Sequence, residues 1–430
     1  MNWTGLPEHS TLYPTASKPC GIKLRFESLG RLVPAEVGQA SLFDAQGERV
    51  RAWEKEDWMP DREWILLNPG PANTSLRVRQ ALVTPDLCHR EPEFFEVMRE
   101  CRERIVRAVG CGDAFTAVLF TGSGTAAVEA AVCSAVPPDR SLLVVSNGVY
   151  GDRLVRVAGA HGIPAQVLTY DFTTPVPPRD VEAAIIAHPE VSHVAVVHHE
   201  TTTGLLNPVA DVARVAARAG RRVLIDAMSS LFGEPLDVTG DGIDFVMASA
   251  NKCLQGIPGI SFVLARRTAV EALKGRPARS VYLDLYTHYA TQELDNTPFT
   301  PAVQVVHALR EALIELEKEG VQGRIARYAE NARVLRRGMD ALGFEILVPE
   351  GARSNILTTF RLLPGLHYDP LHDAMKRRGY IIYAGQGDIR TYAFRVSNMG
   401  TLTPKDMEGV VAAFASSLEE LGIVTGSVKQ

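Results

Sequence analysis

Two ionisable residues stand at the ends of apolar strand patterns. Asp226 closes the run in "RVLIDA", and Lys252 follows the run in "DFVMASANK". A buried carboxylate needs a cation opposite it, and a desolvated lysine has a lowered pKa that suits it to act as a nucleophile and a base. Each residue also has an ordinary interpretation, because Asp226 could cap the next element and Lys252 could be a surface lysine.

A short turn that contains glycine provides a third feature. In "FTGSGTAAVEAAV", residues 120–132, a strand-like run is followed directly by a helix-like run. Ser123, Gly124 and Thr125 would begin the helix, where unpaired backbone N–H groups and the helix dipole favour a phosphate. Taken alone, these glycines could simply permit a tight turn.

Together, the three features predict a pyridoxal phosphate (PLP) site. Lys252 would form the Schiff base with the cofactor aldehyde, and Asp226 would keep the pyridine nitrogen protonated so that the ring is an electron sink. Ser123, Gly124 and Thr125 would hold the phosphate. Lys252 and Asp226 are therefore the predicted catalytic residues and also bind the cofactor.

Three more residues fit this site. Tyr150 in "SNGVYGDR" and Thr201 in "HHETTTGLL" each follow an apolar strand, where a ring could lie on the cofactor and a hydroxyl could bond its phenolic oxygen. Core packing and a turn hydroxyl are the alternatives. Arg395 in "TYAFRVSNMG" lies inside a strand pattern, so its permanent charge must meet an anion. An internal carboxylate could supply that anion, but we favour the acidic group of a substrate.

The elements that position these residues alternate along the chain. Strand patterns in "TAVLF", "SLLVVS", "HVAVVH", "RVLIDA" and "DFVMAS" are separated by helical patterns such as "TAAVEAAVCSAV". This alternation predicts an α/β fold with a mostly parallel sheet, in which ligands bind beyond the carboxyl ends of the strands.

Three domains are predicted. Residues 1–62 form a strand-rich N-terminal extension without an assigned role, in which "IKLRFESLGRLVPAEVG" and "ASLFDAQGERVRAW" have strand patterns. The turn-rich "LNPGP" marks the entry to a large PLP-binding domain, residues 63–320. Residues 321–430 form a smaller α+β domain with strands in "NILTTFRL", "YIIYAG" and "TYAFRVSN" and a last helix in "MEGVVAAFASSLEELG".

The connection between the two larger domains is predicted to be helical. The segment "VQVVHALREALIELEKEG" places Val305, Leu309, Leu313 and Leu316 on one helix face.

Composition excludes several classes of protein. The 430 residues are 46% hydrophobic, enough for one large core and a smaller lobe, and the net charge of −5 gives no basic surface for nucleic acid or an anionic membrane. The six cysteines lack metal-ligand spacing, so we expect reduced thiols in a cytoplasmic protein and no metal site. Neither a signal peptide nor a membrane-spanning run is predicted.

Several motifs, in order, resemble the class V aminotransferases of the fold-type I PLP superfamily. They are "GSGTAAVEAAV", "NGVYGDR", "VVHHETTTGLLNPV", "LIDAMSS", "SANKCLQGIPG" and "FRVSNMG", and the resemblance spans roughly residues 64 to 420. It implies the PLP-dependent transferase fold, with Lys252 as the Schiff-base lysine and Arg395 gripping the acid group of the substrate. Thr300 in "NTPFTPAV" matches a threonine that reaches the phosphate of the neighbouring subunit's cofactor, which implies a homodimer with shared active sites.

Within this family, the motifs are most similar to those of the enzymes that act on 2-aminoethylphosphonate. The resemblance therefore implies transfer of an amino group from a small acidic amine of this kind to an α-keto acid such as pyruvate. The alternative keeps PLP but performs elimination or carbon–carbon bond chemistry in a specialised biosynthetic pathway. A dinucleotide-binding dehydrogenase is disfavoured because "GSGTAAVEA" lacks the G-x-G-x-x-G spacing.

Overall fold

The computed structural model describes residues 23–28, 31–36 and 64–423. The chain divides into two units, Met1–Glu63 and Trp64–Gln430. In the first unit, strands β1 (Lys23–Ser28) and β2 (Arg31–Glu36) pair as an antiparallel hairpin. This pairing agrees with the strand pattern of "IKLRFESLGRLVPAEVG", whereas the strand predicted in "ASLFDAQGERVRAW" lies outside the described residues.

The second unit is built around a seven-stranded sheet. Its strands, and three short strands in the same part of the chain, are β3 (Ile65–Leu66), β4 (Phe115–Thr121), β5 (Ser141–Ser146), β6 (Ala165–Thr169), β7 (Val191–Val197), β8 (His199–Glu200), β9 (Leu205–Leu206), β10 (Arg222–Asp226), β11 (Phe245–Ser249) and β12 (Ile260–Arg266). The sheet order is β4-β12-β11-β10-β7-β5-β6, and β12 runs antiparallel to both of its neighbours. The other pairs in the sheet are parallel, as the sequence predicted.

Helices cover both faces of this sheet. In chain order the helices are α1 (Leu76–Gln80), α2 (Pro92–Val109), α3 (Gly124–Ala135), α4 (Val149–Ala160), α5 (Pro178–Ala187), α6 (Val209–Arg218), α7 (Arg267–Glu271), α8 (Leu285–Gln292), α9 (Val303–Glu319), α10 (Val321–Ala341), α11 (Tyr368–Arg377) and α12 (Pro404–Glu420). Residues of α2, α5, α6 and α9 pack in one hydrophobic cluster, and residues of α3, α4, α7 and α8 pack in another.

Strand periodicity explains the two clusters. Along β4, Ala117 and Leu119 pack in the first cluster, and Val118 and Phe120 pack in the second. Successive side chains of a strand point to opposite faces, so a strand that is apolar throughout is buried on both. The strands β4, β5, β7, β10 and β11 run in one direction, so their carboxyl ends meet at one edge of the sheet.

A smaller antiparallel sheet follows in the chain. Its region contains β13 (Leu357–Arg361), β14 (Tyr380–Ile381), β15 (Tyr383–Ala384) and β16 (Ala393–Ser397). The sheet order is β13-β16-β15, and a core that includes Phe344, Phe360, Phe394 and Phe414 packs beneath it. The domain boundary between residues 320 and 321 stays a prediction, and α9 and α10 meet there at Gly320.

One detail of the sequence prediction is wrong. The segment "YIIYAG" is not one strand, because Tyr380–Ile381 pairs in parallel with β3 while Tyr383–Ala384 pairs with β16. On α9, Val305 is partly buried and packs against the same hydrophobic cluster as Leu309, Leu313 and Leu316, and Val306 is buried in that cluster as well. Leu309, Leu313 and Leu316 are fully buried as predicted.

Candidate active site

Asp226 and Lys252 lie at the carboxyl edge of the central sheet. Asp226 is the last residue of β10 and is 4% exposed, and Lys252 follows the end of β11. Burial raises the pKa of Asp226 to about 6 and lowers the pKa of Lys252 to about 8. Each charge also acts on the pKa of the other group, opposing the effect of burial. The two side chains therefore share one enclosed site, and the lysine has a neutral amine within reach at physiological pH.

The turn "NPGPA" covers the Lys252 side chain. Lys252 Nζ donates a hydrogen bond to Pro69 O at 2.5 Å, and a Cβ added to Gly70 would lie 2.2 Å from Nζ. Gly70 has a φ of +120°, which side chains rarely adopt. Ala72 N–H donates to Asn251 O at 3.0 Å, which fastens the turn beside the lysine. From sequence this motif predicted only the entry to a domain.

The turn before α3 leaves backbone donors free. Ser123 occupies the N-cap position without a side-chain capping bond. Across residues 64–423, the N–H groups of Ser123, Gly124 and Thr125 have no hydrogen-bond acceptor. A Cβ on Gly124 would lie 2.3 Å from Met228 Sδ, so only glycine fits there without displacing that side chain. The first turn of α3 therefore presents a set of donors suited to an anion.

Helix α4 brings a ring and a cation to the same place. The Cζ of Arg153 lies 4.6 Å from the centroid of the Tyr150 ring, and Arg153 Nη1 donates to Thr125 Oγ1 at 3.3 Å. The charge of Arg153 also lowers the pKa values of Asp226 and Lys252. Arg153 therefore connects the first turn of α3 with the Asp226 and Lys252 pair, a position that the sequence prediction missed.

Glu200 is a fully buried carboxylate next to α4. Its Oε2 accepts the N–H groups of Tyr150 and Gly151 at 3.2 Å each, and its Oε1 accepts the N–H of Thr202 at 3.1 Å and its hydroxyl at 2.6 Å. Burial raises the pKa of Glu200 to about 7, although these hydrogen bonds favour the charged form. Gly148 supplies no N-cap side chain to α4, and Glu200 takes that place.

Arg395 contacts Thr201, the residue that follows Glu200. It is 5% exposed, and it donates from Nη1 to Thr201 O at 3.0 Å and from Nε to Ala384 O at 2.9 Å. Nη1 also donates to Gln386 Oε1 at 3.0 Å. These acceptors are neutral, and among the described residues no carboxylate forms an ion pair with Arg395. The guanidinium charge is near enough to Lys252 to lower its pKa.

Thr300 forms no hydrogen bond with these residues in the described part of the chain. It is exposed, and its Oγ1 is 3.4 Å from His89 Nε2. Two residues later, Ala302 N–H donates to Thr121 Oγ1 at 3.0 Å, which ties this segment to the end of β4. The contact of Thr300 with the cofactor of a second subunit stays a prediction.

The side chains at this edge fit PLP. The buried carboxylate of Asp226 suits a protonated ring nitrogen, the enclosed amine of Lys252 suits an aldehyde, and the first turn of α3 suits a phosphate. A Cβ at Gly70 would meet the Lys252 side chain and a Cβ at Gly124 would meet the Met228 side chain, so glycine lets the backbone lie close to both side chains.

This chain belongs to the class V aminotransferases. Residues 73–397 match the family model described as "Aminotransferase class-V". Enzymes of this family depend on PLP, so the chain is a PLP-dependent transaminase of fold type I. Among solved structures, an aspartate aminotransferase from Thermus thermophilus superposes with a TM-score of 0.77 at 29% identity, covering 83% of this chain and 99% of that chain.

Curated relatives share a more particular name. Over 368 residues the chain is 42% identical to the 2-aminoethylphosphonate–pyruvate transaminase of Syntrophobacter fumaroxidans, covering 84% of this chain and 98% of the relative. It is 39% identical over 369 residues to the enzyme of the same name from Vibrio vulnificus, covering 83% of this chain and 98% of the relative.

No helix in the described part of the chain combines the length and the apolar character that a membrane span requires.

Proposed function

We propose that this chain transfers the amino group of 2-aminoethylphosphonate, or a closely similar acidic amine, to pyruvate. The observation that carries the proposal is Arg395, a buried cation with only neutral hydrogen-bond acceptors in the described chain, placed beside the Lys252 and Asp226 pair. Burying an arginine without an anion is unfavourable, so the acid group of a substrate would complete the site. The curated relatives are named for this pair of substrates.

Lys252 is the proton carrier of the proposal. Burial holds its pKa at about 8, so part of the population is neutral near physiological pH and can take a proton from the donor carbon. Pro69 O accepts a hydrogen bond from Nζ at 2.5 Å and so orients the free amine. After it has taken the proton, the same Nζ can return it to a neighbouring carbon.

Asp226 supplies the opposing charge. One carboxylate oxygen accepts Met228 N–H at 2.9 Å, which fixes the side chain at the end of β10. The burial that raises its pKa to about 6 also means that a cation opposite it is strongly favoured, and a protonated ring nitrogen would be that cation. When bound, PLP carries the amino group between donor and acceptor and delocalises the electrons that the donor carbon releases.

The remaining predicted residues hold the cofactor and substrate in place. The N–H groups of Ser123, Gly124 and Thr125 would bind the phosphate, and Tyr150 would lie against the ring. Thr201 would bond the phenolic oxygen through its hydroxyl while its carbonyl accepts from Arg395.

A cytoplasmic homodimer completes the proposal. Thr300 is exposed, and in this proposal it reaches the phosphate held by a second subunit. The described cysteines are all free thiols, which suits a reducing compartment.

Half-reaction spectroscopy tests the proposal. The purified protein loaded with PLP is mixed with 2-aminoethylphosphonate in the absence of a keto acid, and the visible absorbance of the lysine-bound cofactor should convert to that of pyridoxamine phosphate. Adding pyruvate should restore the first spectrum and release alanine. Absence of both changes would reject the substrate assignment. Products of elimination or of carbon–carbon bond formation, formed without alanine, would support the alternative chemistry instead.

A further inference from the structure

Gln386 occupies one donor position on Arg395. Its Oε1 lies 3.0 Å from Arg395 Nη1, and because a guanidinium only donates, the oxygen of the amide must face it. Gln386 Nε2 and Arg395 Nη2 have no hydrogen-bond partner within residues 64–423. Two unused donors therefore lie close together at the side of the site where an acid group would bind.

Only one of the three acceptors on Arg395 can move away easily. Thr201 O and Ala384 O are backbone carbonyls, and Ala384 is held by the pairing of β15 with β16. Gln386 Oε1 is at the end of a side chain that can turn about its own torsions. A guanidinium can bind two acid oxygens through Nε and one Nη or through both Nη atoms, and because Ala384 O already accepts from Nε, the acid would use Nη1 and Nη2. Its second oxygen would therefore replace Gln386 Oε1.

Backbone packing keeps Gln386 beside the arginine. The preceding Gly385 donates its N–H to Ala393 O at 2.8 Å, and a Cβ on Gly385 would lie 2.5 Å from Ile389 O. This close approach holds the chain against β16, the strand that carries Arg395. The position of Gln386 is thus set by the fold rather than by its contact with the arginine.

We propose that Gln386 is a specificity-determining residue that binds the acid group of the substrate together with Arg395. Before the substrate enters, Oε1 holds Nη1. When an acid oxygen takes that donor, the amide turns and Nε2 donates to the same acid group. The proposal rests on the proposed function, in which Arg395 holds that group.

Arg395 and Gln386 together present little positive charge to a bound acid. The acid meets one cation and one neutral donor, and the negative charge of Glu200 also acts on Arg395. At this end of the site a dianionic acid is therefore expected to bind only slightly more tightly than a monoanionic acid of the same shape. We expect shape and hydrogen bonding, more than the total charge, to decide which acids bind.

Three acids without an amino group separate these effects. Ethylphosphonate is tetrahedral and dianionic above its second ionisation, ethanesulfonate is tetrahedral and monoanionic, and propionate is planar and monoanionic. The phosphonate and sulfonate differ mainly in charge, and the sulfonate and carboxylate differ mainly in shape. Their dissociation constants are measured by calorimetry on the PLP-loaded protein and, as inhibition constants, against its transamination.

Two substitutions change charge in opposite directions. Gln386→Lys adds a cation. Its affinity for ethylphosphonate relative to ethanesulfonate should be about tenfold higher than in the wild type. Gln386→Glu pairs a carboxylate with Arg395 and should weaken all three acids, the dianion most. Gln322→Lys on α10 makes the same charge change as Gln386→Lys at an exposed position outside the site and should leave the ratios as in the wild type.

Gln386→Met tests the contact itself. Methionine keeps the length of the side chain and removes both amide groups, so all three acids should bind about 3- to 10-fold more weakly with their ratios unchanged. The proposal is overturned when Gln386→Lys leaves the phosphonate-to-sulfonate ratio unmoved, or when Gln386→Met binds all three acids as tightly as the wild type. A wild type that binds these acids but does not transaminate 2-aminoethylphosphonate would instead reject the proposed function and leave this one standing.

Discussion

The carboxylate of Glu200 accepts a hydrogen bond at 3.2 Å from the backbone N–H of Tyr150, fifty residues earlier in the chain. Its other oxygen holds Thr202, and the carbonyl of the residue between them, Thr201, accepts from Arg395. One buried acid therefore connects the ring proposed to lie on the cofactor with the arginine proposed to hold the substrate.

Replacing Glu200 by glutamine should loosen both ends of this connection. An amide accepts at one end only, so either the first turn of α4 or Thr202 loses its partner. We expect Glu200→Gln to raise the Kd for PLP and the KM for the amine donor, each on the order of tenfold. Fluorescence titration and steady-state kinetics measure the two constants, with Glu96→Gln on the surface of α2 as the control. Unchanged values for both constants would show that Glu200 only fills space.

The contribution of Glu200 and Asp226 to the stability of the cofactor-free protein should fall as the pH rises from about 4.5 to 7. Burial raises the pKa of Glu200 from 4.5 to about 7 and that of Asp226 from 3.8 to about 6. The folded protein therefore binds these protons more tightly than the unfolded chain, and the stabilisation that they provide is lost as each group ionises.

Glu200→Gln should remove the contribution of Glu200, so the stability of the variant relative to the wild type should rise with pH over this range. Between about pH 4.5 and 7 this relative stability should change by roughly 2–3 kcal/mol, and urea unfolding of both proteins at several pH values measures it. Parallel pH profiles for the variant and the wild type would contradict the raised pKa of Glu200.

Gly70→Ala should prevent the cofactor from reaching Lys252. The new Cβ would stand 2.2 Å from Nζ and at a φ of +120°. We expect the visible absorbance of the lysine-bound cofactor to be lost or strongly reduced while the folded state is kept. Gly275→Ala is the control, since it shares a positive φ of +76° but has no atom within 4 Å of the added carbon. Equal absorbance in both variants would show that the turn can move away from the lysine.

Asp226→Asn should slow the chemistry more than it weakens substrate binding. The neutral amide cannot hold a protonated ring nitrogen, so kcat should fall by about 10²- to 10⁴-fold with a smaller change in KM. Asp369→Asn is the control, because it makes the same change in charge at an exposed position of α11 outside the site. A kcat equal to that of the wild type would remove Asp226 from the proposed mechanism.

Local patterns were enough to predict part of the site. Lys252 and Asp226 were predicted because Asp226 ends and Lys252 follows a strand whose apolar residues are contiguous, and parallel strands bring their carboxyl ends to one edge. The donors at Ser123–Thr125 follow from the same rule. Glu200 carries only a faint signal, an acid at the end of "HVAVVHHE", and its helix-capping contacts could not be expected from that stretch.

The contacts that sequence reasoning missed join residues far apart in the chain. Lys252 and Pro69 are 183 positions apart, and Arg395 and Thr201 are 194 positions apart. For the same reason "YIIYAG" was predicted as one strand, although its two halves pair with different partners.

The amino-acid sequence by itself determined the family, the cofactor and the residues most suited to its chemistry, because hydrophobic periodicity and the types of residue at strand ends are local properties. Only the tertiary structure decided which backbone carbonyl orients the lysine, which acid caps the helix of Tyr150, and which side-chain amide accepts a hydrogen bond from Arg395. Those choices depend on the packing of distant segments against one another, and burial then sets the pKa values on which the site would operate.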